Sequence, residues 1–94
     1  MIVSFGDRAT RQLWDDGCSR RFPPELAKAA LRKLVLVHVA IDVEDLRNPP
    51  GNRLEMLRGD RNGQYSVRVN DQWRLCFNWI EGNAHDVEIV DYHR

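Results

Sequence analysis

The sequence predicts an α+β domain in which N-terminal helices pack on a mainly antiparallel sheet. Three observations predict it. Apolar residues recur at helical spacing through the first half of the chain. From Arg53 onward the period falls to two, as in a half-buried strand. Asn48-Pro49-Pro50-Gly51 breaks the chain between the two regimes. The 94 residues suit a single domain spanning 1–94, and eight aromatics with a 43% hydrophobic fraction indicate a folded chain with a modest core.

The elements follow in order. Residues 2–5 are expected to form a short strand. Asp7 is a good N-cap for a helix running through Leu13 and Trp14, and Gly17 is a good stop. Pro23-Pro24-Glu25 marks a second helix start. Ala27, Ala30, Leu31, Leu34, Val37 and Ile41 form its apolar stripe, with Lys28, Arg32 and Lys33 on the other side. His38 lies near the stripe and is expected to be a partly buried structural residue. Val43 to Leu46 adds one more turn. Beyond the prolines, Leu54 and Met56 alternate with Arg53 and Glu55. Asn62-Gly63 is a turn signal. Tyr65, Val67 and Val69 then alternate with Ser66 and Arg68. Asn70-Asp71 makes the next hairpin. Trp73, Leu75, Phe77 and Trp79 follow, and after the Glu81-Gly82-Asn83 turn come Val87 and Ile89. One sheet face is strongly apolar and should lie under the long helix. The other collects Glu55, Ser66, Arg68, Arg74 and Asn78.

The net charge is zero, but the charge is unevenly placed. Residues 47–79 carry six Arg (47, 53, 58, 61, 68 and 74) against Glu55, Asp60 and Asp71. Residues 80–94 carry only Arg94 against four acidic residues. Twelve of the fourteen basic residues are Arg, which suits phosphate recognition better than Lys does; a coding bias toward Arg explains the excess equally well. Cys18 and Cys76 are far apart and belong to no Cys/His cluster, so two reduced thiols in a cytoplasmic protein are expected. Met1 to Arg8 hold no apolar run of signal-peptide length. Leu34 to Ile41, the longest apolar stretch, is interrupted by His38 and is too short to cross a membrane.

Two groups of residues can carry chemistry. Arg68 and Arg74 flank the Asn70-Asp71 turn, close together on the polar face. Two like charges side by side call for an anion between them: Glu55 serves that need structurally, a phosphate functionally. The second group is the Asp91-Tyr92-His93 ending. In metal-free RNA cleavage a base takes the proton of a ribose 2′-hydroxyl, that oxygen attacks the adjacent phosphate, and an acid protonates the leaving 5′-oxygen. An imidazole such as that of His93 suits either proton role. A phenol such as that of Tyr92 serves as a base only where neighbouring cations favour its anion. A frayed polar terminus accounts for the same residues. Asp91 and His93 lack further ligands at metal-binding spacing, so no metal site is expected. Arg58-Gly59-Asp60-Arg61-Asn62-Gly63 lacks the spacing of a phosphate-binding glycine loop. It reads either as a mobile hairpin loop or as a basic contact for an RNA backbone. On the second reading Arg53, Arg58 and Arg61 are the RNA-binding candidates.

Four segments carry a resemblance: Asn48 to Glu55, Leu57 to Ser66, Asn70 to Phe77 and Val87 to His93. With them the chain resembles, over nearly its whole length, the HigB toxins of the RelE/ParE superfamily of type II toxin–antitoxin systems. The resemblance implies a RelE-like microbial RNase fold and cleavage of mRNA on the translating ribosome, without metal or other cofactor. It also implies growth inhibition and neutralisation by a HigA-type helix-turn-helix antitoxin, through which alone operator DNA would be bound. It places Arg74 on the scissile phosphate and Asp91, Tyr92 and His93 in a C-terminal catalytic group. Arg58 matches a basic position that is Lys in some relatives. Glu55 stands where some HigB toxins place a catalytic His. A carboxylate there can act as a base or orient an arginine, but it cannot donate as an imidazolium does. The catalytic candidates are therefore Glu55, Arg68, Arg74, Asp91, Tyr92 and His93. The ParE branch of the superfamily instead inhibits DNA gyrase, and fold alone does not separate the two.

Overall fold

In the computed structural model, which describes residues 1–61 and 63–92, Asp7 opens the first helix as expected. Its carboxylate accepts the Thr10 backbone N–H at 2.8 Å, and α1 runs Arg8–Asp16. Gly17 closes it in the left-handed region, at φ 81°, donating to the Leu13 carbonyl. The second helix, α2, runs Pro24–Val39 with Pro at its first turn. It buries Leu26, Ala27, Ala30, Leu34 and Val37. Ile41 does not extend this stripe: the helix has ended before it, and its side chain is exposed. Asp42 starts a 3-10 turn over Val43–Arg47 through a capping box with Asp45. A further 3-10 turn, Pro50–Asn52, ends at Arg53.

Four strands follow: β1 Glu55–Met56, β2 Tyr65–Arg68, β3 Trp73–Ile80 and β4 Asn83–Asp91, hydrogen-bonded in chain order and all antiparallel. The β3–β4 loop carries Glu81 and Gly82 at φ 50° and 80°. Both central residues of a two-residue hairpin need that positive φ to match the strands' twist. The register pairs Leu75 with Ile89 and Val67 with Leu75. These side chains, with Phe77, Val87, Leu13, Leu34 and Val37, are fully buried between helices and sheet. Each contributes about 1.5–3 kcal/mol by leaving water.

Two expected strand segments differ. Residues 2–5 form no strand of their own. Ile2 and Phe5 make isolated parallel bridges to Ala84 and Val87 of β4, and Ser4 Oγ accepts from Asp86 at 2.8 Å where β4 bulges. At the other edge, alternation from Arg53 is lost. Arg53 sits at φ 45° closing the preceding turn, and Met56 is exposed. His38 is structural as expected: its Nδ1 accepts the Ile2 backbone N–H at 3.1 Å. Among the described residues no helix is long and apolar enough to cross a membrane.

Candidate RNA-cleaving face

The sheet side turned away from the helices is built in rows by the strand register. Glu55, Ser66, Cys76 and Glu88 are successive cross-strand partners in one row. Arg68, Arg74 and Val90 form the next. Directly opposed residues project to the same side, so Arg68 and Arg74 stand next to each other, as the alternation predicts. Glu55 does not bridge them; among the described residues its side chain makes no hydrogen bond or ion pair, and Arg68 and Arg74 find other partners. Asp71 in the hairpin takes Arg68 in an ion pair instead. Arg74 is buried, at 7% exposure. Its Nη1 donates to the Asn70 carbonyl at 3.0 Å, and its guanidinium lies 5.2 Å from the centroid of the Tyr92 ring. Among the described residues no carboxylate pairs with it. A buried guanidinium with five donors, whose partners among the described residues are a carbonyl and a ring, is poised for an oxyanion.

Alternation along β4 separates the tail residues. Tyr92 falls on the Arg74 side, whereas Asp91 pairs with Trp73 on the helix side. The Asp91 carboxylate accepts from Gln72 Nε2 at 3.0 Å. The Tyr92 backbone N–H donates to the Gln72 carbonyl at 2.7 Å. Gln72 thus clamps the end of β4 beside the β2–β3 hairpin, a role with no signature in the sequence. His93 lies outside the described residues.

The outer arginines are placed differently. Arg53 and Arg58 are exposed at the margin. Arg61 is not an open cation: it folds back over the polar face to pair with Glu88 and also donates to Gln64 Oε1 at 3.0 Å. Burial pulls its pKa down, but the hydrogen bond and charge of Glu88 prevail and raise it. Among the described residues no three His, Cys, Asp or Glu side chains gather into a metal-binding group.

Cys76 lies under this polar cover with no exposed surface. Burial pushes its thiol up to about 11; Arg61 pulls it down, Glu88 raises it and Arg74 pulls it down. At pH 8 a thiol reagent is therefore expected to label exposed Cys18 quickly and Cys76 only on unfolding. The folded thiol holds its proton more tightly than an unfolded one. Its contribution is thus complete below about pH 9, the ordinary value, and is lost as pH rises to about 11. Urea unfolding across that window should show wild type losing on the order of 2 kcal/mol more than Cys76→Ala. Equal slopes would contradict the assignment.

Residues 3–93 match the model of the HigB-like toxins, described as RelE-like toxins of type II toxin–antitoxin systems. The chain belongs to this family. It is 42% identical over 85 residues to Toxin HigB-1 of Vibrio cholerae, covering 89% of this chain and 90% of that protein. It is 30% identical over 93 residues to Endoribonuclease HigB of Proteus vulgaris, covering 99% and 100%. Among solved structures it resembles a chain of the Staphylococcus aureus YoeB–YefM complex, with TM-score 0.63 and 14% identity over 100% of this chain and 99% of that one. A YafQ variant from E. coli gives TM-score 0.62 and 13% identity over 97% and 91%. At such identities these structures speak for the RelE-like fold alone. As a type II toxin, this HigB-like chain has a protein antitoxin as partner.

The sequence did not point to Lys33 and Asn52. Lys33, expected on the solvent side of α2, is partly buried and donates to Asn52 Oδ1 at 2.6 Å. Burial lowers its pKa, and Arg32 and Arg68 lower it further. Lys33 thus lies on α2 within electrostatic reach of Arg68.

Proposed function

We propose that this HigB-like toxin cuts mRNA on the translating ribosome, by attack of a ribose 2′-oxygen and without a metal, at the sheet face of Arg68, Arg74 and Tyr92. Its being a toxin with endoribonuclease activity follows from the family and from its full-length similarity to Endoribonuclease HigB. The ribosome, the absence of a metal and the residue roles go beyond that similarity and rest on the geometry of the face.

The observation that carries it is Arg74, a buried guanidinium that pairs with no carboxylate among the described residues and is held against the Tyr92 phenol. Arg74 grips the scissile phosphate and meets the charge that builds on it during attack. Arg68 adds positive field from the opposed strand position once phosphate competes with exposed Asp71 for it. Tyr92, His93 and Glu55 supply the proton donor and acceptor. Asp91 accepts from Gln72 beside the β2–β3 hairpin, and its part is to hold the tail in place. Arg53, Arg58 and Arg61 flank the face as backbone contacts for RNA. The antitoxin is of the HigA helix-turn-helix type, operator DNA is reached only through it, and the toxin works in the cytoplasm.

Primer-extension mapping of messages after induction tests the reading. Discrete cuts within translated codons are expected. Intact messages with loss of plasmid supercoiling would replace it with gyrase inhibition of the ParE kind.

A further inference from the structure

We propose that the cleft between the end of α1 and the first turns of α2 is a seat for the antitoxin, taking an apolar side chain of that partner with a carboxylate beside it. The proposal rests on the family of the chain and is independent of the RNA-cleaving reading.

The cleft has a volume of about 500 Å³, within the range of specific binding sites. Phe22, Ala27 and Leu31 give it an apolar wall. The fold sets this wall in advance. Ala27 and Leu31 lie one turn apart on α2. Phe22 packs edge-on against Trp73 of β3, with ring centroids 6.0 Å apart, so the sheet holds it in place. Little ordering is left to oppose binding.

The polar groups of the cleft lack partners. Arg20 and Lys28 are exposed and line it, and among the described residues neither enters an ion pair. Glu25, the acidic residue in the first turn of α2, does not line it. No side chain caps the start of α2, and that end of a helix favours a negative group. Ser19 points to a ligand independently of these charges. It lines the cleft at 9% exposure, and its hydroxyl has no hydrogen-bond partner among the described residues. An enclosed and unbonded oxygen would be a buried orphan, and the described residues contain none. The hydroxyl therefore opens into the cleft, where it can donate to a carboxylate.

An apolar wall, two unpaired cations and an open hydroxyl are complementary to an amphipathic acidic segment. The partner that the family supplies is a protein. A helix of that partner with an apolar residue and, one turn away, an Asp or Glu would fill the cleft and meet its charges.

Cys18 lines the same cleft and reports on it. It is exposed in the toxin, whereas Cys76 is buried. Iodoacetamide labelling at pH 8, read by mass spectrometry, compares toxin alone with the purified toxin–antitoxin complex. Cys18 should react about tenfold more slowly, or less, in the complex, because thiol modification follows access. The double variant Arg20→Glu/Lys28→Glu should bind the antitoxin about tenfold more weakly or worse, since it sets like charges face to face. Both side chains are exposed, so the fold does not depend on them. Arg20→Lys/Lys28→Arg keeps both charges and should bind as wild type does. Equal Cys18 labelling with and without antitoxin, or antitoxin binding unchanged by charge reversal, would overturn the proposal. So would protection of Cys18 that grows with the concentration of toxin alone, which would give the cleft to a second copy of this chain.

Discussion

Arg74→Ala should lower mRNA cleavage by about a hundredfold or more, the usual loss when one preorganised donor to a developing oxyanion is removed. The reason is the setting of the side chain. Its guanidinium is buried, fixed by the Asn70 carbonyl and the Tyr92 ring, and pairs with no carboxylate among the described residues. Arg74→Lys keeps the charge but loses the planar fork that meets two phosphate oxygens at once. It should fall between wild type and Arg74→Ala. Removing Arg74 also costs packing against Tyr92, so thermal melts of both variants must accompany the rates. Folded variants with undiminished cleavage and growth arrest would remove Arg74 from the reaction.

Asn52→Ala should be among the most damaging single changes to stability. Asn52 is fully buried in the turn after the prolines. Its Nδ2 donates to the carbonyls of Leu46 and Asn48, and its Oδ1 accepts from Lys33. One amide thus ties α2, the turn over Val43–Arg47 and the approach to β1 together. Truncation strands two carbonyls and a partly buried ammonium, at a cost of about 2–4 kcal/mol. For a domain of this size that lowers Tm by roughly 10 °C or more. Arg47→Ala, which breaks an exposed pair with Glu44, is the matched control and should change Tm little. Similar melting for both variants would contradict the role given to Asn52.

The sequence was most readable where a signal and its target are neighbours. Asp7 and Gly17 bound α1 because caps act within a turn of the helix end. The strand alternation from Tyr65 to Trp79 set Arg68 opposite Arg74 because a period of two admits one register once a face is buried. It was least readable where the partner is remote. Residues 2–5 could not be read correctly without β4, some eighty positions later, to bridge them. Arg53 was misplaced because closing the turn after the prolines demands a left-handed residue there, and local alternation carries no trace of that demand. Lys33 resembled a solvated helix residue until Asn52 was folded against it. The candidate face was legible in its cations and not in their pairing. Nothing in the sequence shows that Glu88 claims Arg61 while Arg74 is left to Asn70 and Tyr92.

The central claim is that this face directs a ribose 2′-oxygen onto the phosphate held by Arg74. The most direct measurement replaces the single nucleotide on the 5′ side of a mapped cut with its 2′-deoxy form, in a message translated by ribosomes in the presence of the toxin. Cleavage should vanish at that position and persist at unmodified positions of the same message. Cutting at the deoxy position at the unmodified rate would contradict the account.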